Sequence, residues 1–120
     1  MFCDEQGVSA AADRDGHDLE AIHVVAVEDG EVIGTCRLLI RGSIARLGRL
    51  AVDQSARRRG IGARILAVAA DVARKAGATE IDLHAQTYAL TLYRNEGYSE
   101  RGDEFVEEGI PHVAMRKSLA

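Results

Sequence analysis

The spacing of apolar residues changes character near Asp53. Before it, short aliphatic runs alternate with turn residues; after it, apolar positions recur at helical spacing and then return to alternation. His23 to Val27 (His-Val-Val-Ala-Val) is a β-branched run that predicts a strand. Asp29-Gly30 is a two-residue hairpin signal, which makes Glu31 to Ile40 the returning strand. Gly42-Ser43 turns the chain again, and Ile44 to Val52 reads as a third strand. Simple alternation puts Ile44, Arg46, Gly48, Leu50 and Val52 on one face of it. The first twenty or so residues, with Gly7, Ser9, Gly16 and several aspartates, read as irregular.

From Gly60 to Ala76 the apolar residues Ile65, Leu66, Ala69, Val72, Ala73 and Ala76 fall on one helical face, and Gly77 stands where a helix commonly ends. Glu80 to His84 alternates as a strand. Thr87 to Asn95 predicts a short helix ended by Gly97, with Ala89, Leu92 and Tyr93 three and four apart. Strands near Tyr98 and from His112 to Lys117 complete the chain, with Pro111 just before the last. A meander, a long helix, a strand, a short helix and terminal strands give an α/β or α+β class. At 120 residues this is one domain, 1–120, long enough to bury a core.

Composition excludes more than it identifies. Apolar residues at 47% and charged residues at 28% fit an ordinary globular domain, so the expectation is a cytoplasmic protein with no membrane span or signal peptide. Cys3 and Cys36 lie far apart without metal-ligand spacing and read as reduced thiols; no metal is expected. A net charge of −4 argues against general nucleic-acid binding. That charge is unevenly spread. Residues 1–31 are acidic, whereas Arg37 to Arg64 holds eight arginines against the single acid Asp53, which suggests a local anion site. The plainer alternative is that these arginines only solvate strand edges and a helix end.

The segment Leu50-Ala51-Val52-Asp53-Gln54-Ser55-Ala56-Arg57-Arg58-Arg59-Gly60-Ile61-Gly62-Ala63 runs from a strand through a polar loop into a helix. The first amides of a helix have no intrahelical partner, and the helix dipole adds positive potential there, so the turn suits a phosphate or pyrophosphate. Gly60 and Gly62 keep side chains away from the anion and permit unusual backbone angles. Nearby arginines add charge-assisted hydrogen bonds. A Walker loop is excluded by the lack of a Gly-Lys-Ser/Thr ending, and a Rossmann fingerprint by the glycine spacing. A helix start whose glycines serve only packing is the alternative.

On these residues the chain resembles the GNAT superfamily of acetyltransferases. The family's pyrophosphate signature, Gln/Arg-x-x-Gly-x-Gly/Ala, is matched by Arg57, Gly60 and Gly62. Leu83 to Tyr98 is similar to the family's later segment, in which a strand leads to a helix carrying a Leu-Tyr pair and then a Gly-aromatic turn. Phe2 to Val8 and Phe105 to His112 are similar to the ElaA-like branch. The resemblance implies a strongly twisted mixed sheet that splits in a V, with flanking helices. Acetyl-coenzyme A would lie in the gap as cosubstrate. It implies that backbone at Leu50, Ala51 and Val52 pairs with the pantetheine arm like an added strand. The turn of Arg57, Arg58, Arg59, Gly60, Ile61, Gly62 and Ala63 would then hold the pyrophosphate. Gln86 stands where many relatives carry a cofactor-contacting Asn.

Tyr93 matches the tyrosine that many relatives use as general acid toward the leaving thiolate. By spacing alone it is an amphipathic core residue. The acceptor amine needs a base, for which the candidates are His112, Glu107, Glu108, His84 and Glu5. His112 is aimed by the Gly-Ile-Pro-His run, or is simply a strand-start histidine bonded to backbone. GNAT domains usually begin ahead of the segment resembling Phe2 to Val8, so the first strand and most of the first helix are expected to be missing. An exposed sheet edge would follow, and homodimerisation is one way to cover it. The implied function is transfer of an acetyl group to a primary amine, of a small molecule or a protein, by direct attack in a ternary complex. Neither cysteine has a base at motif spacing to make it an acyl carrier. The alternative is a coenzyme A-binding sensor or partner module with little or no catalysis. Acids near the N-terminus and at Glu107-Glu108 hint at a cationic acceptor.

Overall fold

The computed structural model describes residues 6–14, 20–54 and 60–119, with side chains described from residue 21 onward. Among these, seven strands build one mixed sheet: β1 (Gln6–Arg14), β2 (Glu20–Glu28), β3 (Glu31–Arg41), β4 (Ile44–Val52), β5 (Glu80–Gln86), β6 (Ser99–Glu107) and β7 (Ile110–Ser118). Their order is β1-β2-β3-β4-β5-β7-β6. Helix α1 (Ile61–Lys75) connects β4 to β5, and a 3-10 turn at Thr87–Ala89 followed by α2 (Leu90–Asn95) connects β5 to β6.

The meander follows its turn chemistry. Asp29 and Gly30 both take left-handed φ angles of 51° and 83°, the pairing that closes a tight hairpin between β2 and β3. β7 begins at Ile110, so Pro111 is its second residue rather than its forerunner; Pro111 still precedes the first β5–β7 pair, Gln86↔His112.

Two expectations fail for identifiable reasons. Residues 6–14 are not irregular: they pair antiparallel with β2 from Gln6↔Glu28 to Arg14↔Glu20. The segment lacks a clear alternation, and its strand character comes from the neighbouring ladder. The single face drawn through Ile44, Arg46, Gly48, Leu50 and Val52 is also wrong. Ala45 and Leu47 are buried, while Ile44 and Arg46 are exposed. Farther along, Leu50 and Val52 pack on the core. Thr35 faces Ala51 while Arg37 faces Gly48, so Cys36 spans two residues, Arg49 and Leu50. That extra residue is a β-bulge, and Arg49 takes φ 57° within it. One added residue reverses the inward and outward parity of everything after it.

α1 lies across the β1–β4 half of the sheet and buries Ile61, Ile65, Leu66, Ala69, Ala70 and Ala73. It ends as its sequence predicts: Gly77 N–H donates to Arg74 O and Ala78 N–H to Ala73 O, both at 3.0 Å. Its alanines allow close approach, and so does Gly34 on β3. A Cβ there would lie 2.7 Å from Ile65 Cδ1 and 3.4 Å from both Ile61 Cγ2 and Ala51 O.

β4 and β5 are parallel neighbours for only three pairs, Ile44↔Glu80, Ala45↔Ile81 and Arg46↔Asp82. Beyond them the strands part. β5 stays with β7 along its whole length, from Glu80↔Ser118 to Gln86↔His112, while β4 stays with β3. The sheet therefore opens in a V whose closed end is tied by Thr79 N–H to Ser43 O at 2.7 Å and by Arg46 to Asp82 at 3.1 Å.

The contact between Gly34 and α1 gives a test of this packing. Gly34→Ala is expected to cost about 1–3 kcal/mol by overpacking. Ile65→Val removes the atom in conflict and alone costs about 0.5–1.5 kcal/mol. In urea denaturation the double variant should lose less than the sum of the two; strictly additive losses would show that α1 does not press on β3 here.

Candidate functional site

The open end of the V is a cleft of about 990 Å³. One wall is β4 with the start of α1: Leu50, Ala51, Val52, Gly60, Ile61, Gly62 and Ala63 all line it. The other wall brings Gln86 from β5, Tyr88, Leu92 and Tyr93 from the following helical segment, and Glu107, Glu108 and His112 from the β6–β7 hairpin. Every described residue singled out in the sequence for cofactor binding or catalysis thus faces one space. Arg57, Arg58 and Arg59 lie outside the described residues.

The start of α1 is built for an acceptor from elsewhere. Gly60 caps it with φ 77°, a left-handed angle that favours glycine, and brings no side chain of its own to cap the helix. Arg64 N–H is the first amide to close a helical bond, to Gly60 O at 3.1 Å. The amides of Ile61, Gly62 and Ala63 therefore lack intrahelical acceptors, and no acid sits in the first turn to compete. Gly62 differs from its sequence reading. It lies inside the helix without an unusual angle, and an added Cβ would meet Leu92 and Val52 at ordinary distances of 3.5 Å and 3.8 Å. Its size, not its backbone freedom, suits the site.

Tyr93 is buried on α2 and stands edge-on to Tyr98, ring centroids 5.9 Å apart. Gly97 N–H and Tyr98 N–H close the end of α2 on Arg94 O and Tyr93 O, which fixes this pair. Burial, with smaller contributions from Cys36 and Tyr88, pushes the Tyr93 phenol up to about 12. It is therefore a proton donor at neutral pH. Tyr98 is raised further, again mainly by burial.

The hairpin wall carries a connected polar group that sequence spacing did not reveal. His112 is 6% exposed, and its Nδ1 donates to Ile110 O at 2.7 Å. His112 thus bonds to backbone and also lines the cleft. Its Nε2 lies 4.0 Å from Glu107 Oε2, while Glu107 Oε1 accepts from His84 Nδ1 at 2.9 Å. Phe105 stacks on His112 and meets the edge of His84, with centroids 6.0 Å and 5.0 Å away. The signal in the sequence was alternation: Phe105 and Glu107 share a face of β6, next to His112 across the β6–β7 ladder. Arg37, Arg46 and Arg49 also reach the cleft, although the sequence marked them only as members of a basic stretch.

Comparison with known proteins accords with this geometry. The acetyltransferase (GNAT) domain family matches residues 2–119. The chain belongs to that family. It is 32% identical over 118 residues to the uncharacterized N-acetyltransferase YjcF of Bacillus subtilis, covering 98% of this chain and 84% of YjcF. Among solved structures, an acyl-CoA N-acyltransferase from Pseudomonas aeruginosa superposes with a TM-score of 0.74 at 26% identity, over 82% of this chain and 69% of that one. Escherichia coli ElaA shares the fold at a TM-score of 0.74 and 19% identity, over 82% of this chain and 68% of its own. As a GNAT domain the protein is an acyltransferase, and the V-shaped mixed sheet with flanking helices is the family's fold. No helix among the described residues is long and apolar enough to cross a membrane.

Cys36 is fully buried beneath the site, and burial pushes its thiol from 9.0 up to about 12. Across that window the folded protein keeps a proton that the unfolded chain releases, so this contribution to stability is complete below pH 9 and declines as pH rises toward 12. Tyr93 adds the same effect above pH 10. Denaturation midpoints should fall with pH above about 9, and Cys36→Ala should flatten the fall between pH 9 and 10; an identical slope in the variant would mean that Cys36 is not the group responsible.

Proposed function

We propose that this protein transfers an acetyl group from acetyl-coenzyme A to a primary amine by direct attack in a ternary complex. The observation that carries the reading is the glycine-led start of α1 opening into the same cleft as Tyr93 and His112. The residues fit the cosubstrate. Three amides without an intrahelical acceptor, at a positive helix end, suit its pyrophosphate. The edge of β4 between Leu47 and Ala51, past the last pair with β5, suits an added strand-like arm. Gln86, on the facing wall, offers an amide to the same arm. Arg57, Arg58 and Arg59 would complete the anion site in the turn before α1.

When bound, the thioester supplies an activated acetyl carbonyl whose sulfur leaves as the new amide forms. The protein supplies the proton transfers. With Nδ1–H committed to Ile110 O, the neutral His112 ring presents its Nε2 lone pair, which takes the proton from the incoming ammonium. Glu107 beside it faces the charge that the ring acquires. Tyr93, held protonated by burial, gives its proton to the departing sulfur. Cys36 lies buried with a raised pKa and does not line the cleft, which supports direct transfer over a cysteine-borne acyl group. This reading takes the chain 1–120 as one domain working in the cytoplasm without a metal. The alternative, a coenzyme-binding module with little catalysis, shares the cofactor half of the cleft and lacks only the proton transfers.

Calorimetric titration with acetyl-coenzyme A, with ATP and NAD as controls, tests the cofactor half. Saturable binding of acetyl-coenzyme A alone is expected, lost in a folded Gly60→Glu/Gly62→Glu variant. Thiol release on an amine panel tests the rest: Tyr93→Phe and His112→Gln should each lower kcat by about 100-fold or more with binding retained. Binding without any turnover would favour the module; unchanged kcat in Tyr93→Phe would remove that residue from the mechanism.

A further inference from the structure

The charges in the cleft are sorted by wall. Arg37 on β3 and Arg49 in the β4 bulge line one side, and neither has an ion-pair partner among the described residues. Arg46 beside them is engaged with Asp82 at 3.1 Å. On the opposite side, Glu107 is engaged with His84 at 2.9 Å, next to His112. Two guanidiniums without an ion-pair partner among the described residues therefore line the cleft opposite the proposed base.

Local structure gives these guanidiniums room for a ligand. Arg37 lies across the ladder from Gly48, where an added Cβ would meet nothing within 4 Å. The glycine leaves a hollow beside the arginine. Arg49 holds a left-handed φ of 57°, which a non-glycine residue adopts at a cost. The cosubstrate does not account for this charge. Its phosphates belong at the start of α1, past the end of β4. Gly48 lies four residues before that end, roughly 13 Å of strand away, where the pantetheine arm is uncharged.

We propose that Arg37 and Arg49 form an anion subsite for the acetyl acceptor, which is accordingly a small primary amine bearing a carboxylate or a phosphate. Its anionic group lies on the guanidiniums, whose planar fork matches either oxyanion, and its amine is directed across the cleft to His112. This assignment rests on the acetyl-transfer reading. It also reverses the cationic acceptor suggested by Glu107-Glu108: Glu107 is already bonded to a histidine, and Glu108, at the tip of the β6–β7 hairpin, is one acid against the two guanidiniums.

The test uses matched acceptor pairs with acetyl-coenzyme A and the full chain: β-alanine against propylamine, 4-aminobutyrate against butylamine, and phosphoethanolamine against ethanolamine, with 1,4-diaminobutane as the cationic control. The anionic member of at least one pair should have a kcat/KM about ten-fold or more above its partner. The carboxylate and phosphate arms decide which oxyanion is taken. Arg37→Gln should collapse that ratio toward one with acetyl-coenzyme A affinity unaltered, and Arg37→Lys should retain part of it. Equal or better turnover of the uncharged amines or the diamine overturns the proposal, as does a ratio that survives in folded Arg37→Gln and Arg49→Gln variants. If no amine turns over, calorimetry with the same anionic amines separates the two readings. Saturable binding abolished by Arg37→Gln upholds the subsite while acetyl transfer falls; absence of binding overturns the subsite.

Discussion

The parting of β4 from β5 after three residue pairs is the constraint on which the site depends. A parallel pair could have continued, since both strands run on for several residues past Arg46 and Asp82. Each instead follows its antiparallel partner, β4 staying with β3 and β5 with β7. Sheet twist then carries the two halves in different directions, and hydrogen bonding at the closed end keeps them from separating. Ser43, Thr79 and Leu119 tie that end together: Thr79 N–H donates to Ser43 O, and Leu119 N–H to Thr79 O at 2.9 Å. A sheet opened this way exposes backbone and buried side chains to a ligand without a hole in the core.

The core on either side of the gap sets where the two walls stand. α1 presses Ile61 and Ile65 onto β3 at Gly34, so the wall that carries the start of α1 cannot shift without disturbing them. On the other wall, Tyr93 and Tyr98 meet edge-to-face and are tied through the end of α2. Burial of this pair and of Cys36 raises all three pKa values, and the cause in each case is desolvation first. A phenol kept protonated beside a cleft is a consequence of packing that serves stability and chemistry together.

What the sequence made legible follows from how local each signal is. Asp29-Gly30, the face of α1 from Ile65 to Ala73, and the Gly60 turn are set by neighbouring residues, and they stand where periodicity put them. Leu50, Ala51 and Val52, Gly60 to Ala63, Gln86, Tyr93 and His112, which motifs single out, line one space. The failures are non-local. β1 is a strand because β2 lies beside it, and the β4 bulge depends on a register with β3 that no single strand encodes. Glu107 bridging two histidines likewise requires knowing that β6 and β7 pair and that β7 lies beside β5.

The bulge is where these non-local effects have the greatest consequence. Had β4 kept a regular alternation, Leu50 and Val52 would share the face of Ile44 and Arg46, away from the core. One extra residue returns them to the core, where they support α1, and leaves Arg49 in a left-handed turn of the chain. β4 has parted from β5 after Arg46, three residues earlier, so the bulge lies on the part of the strand that borders the open cleft. A glycine would hold that angle more cheaply. An arginine kept there is strained backbone joined to free charge, on the cleft side that faces His112. With the cosubstrate's phosphates at the start of α1, as proposed, that combination is left for the second substrate to account for.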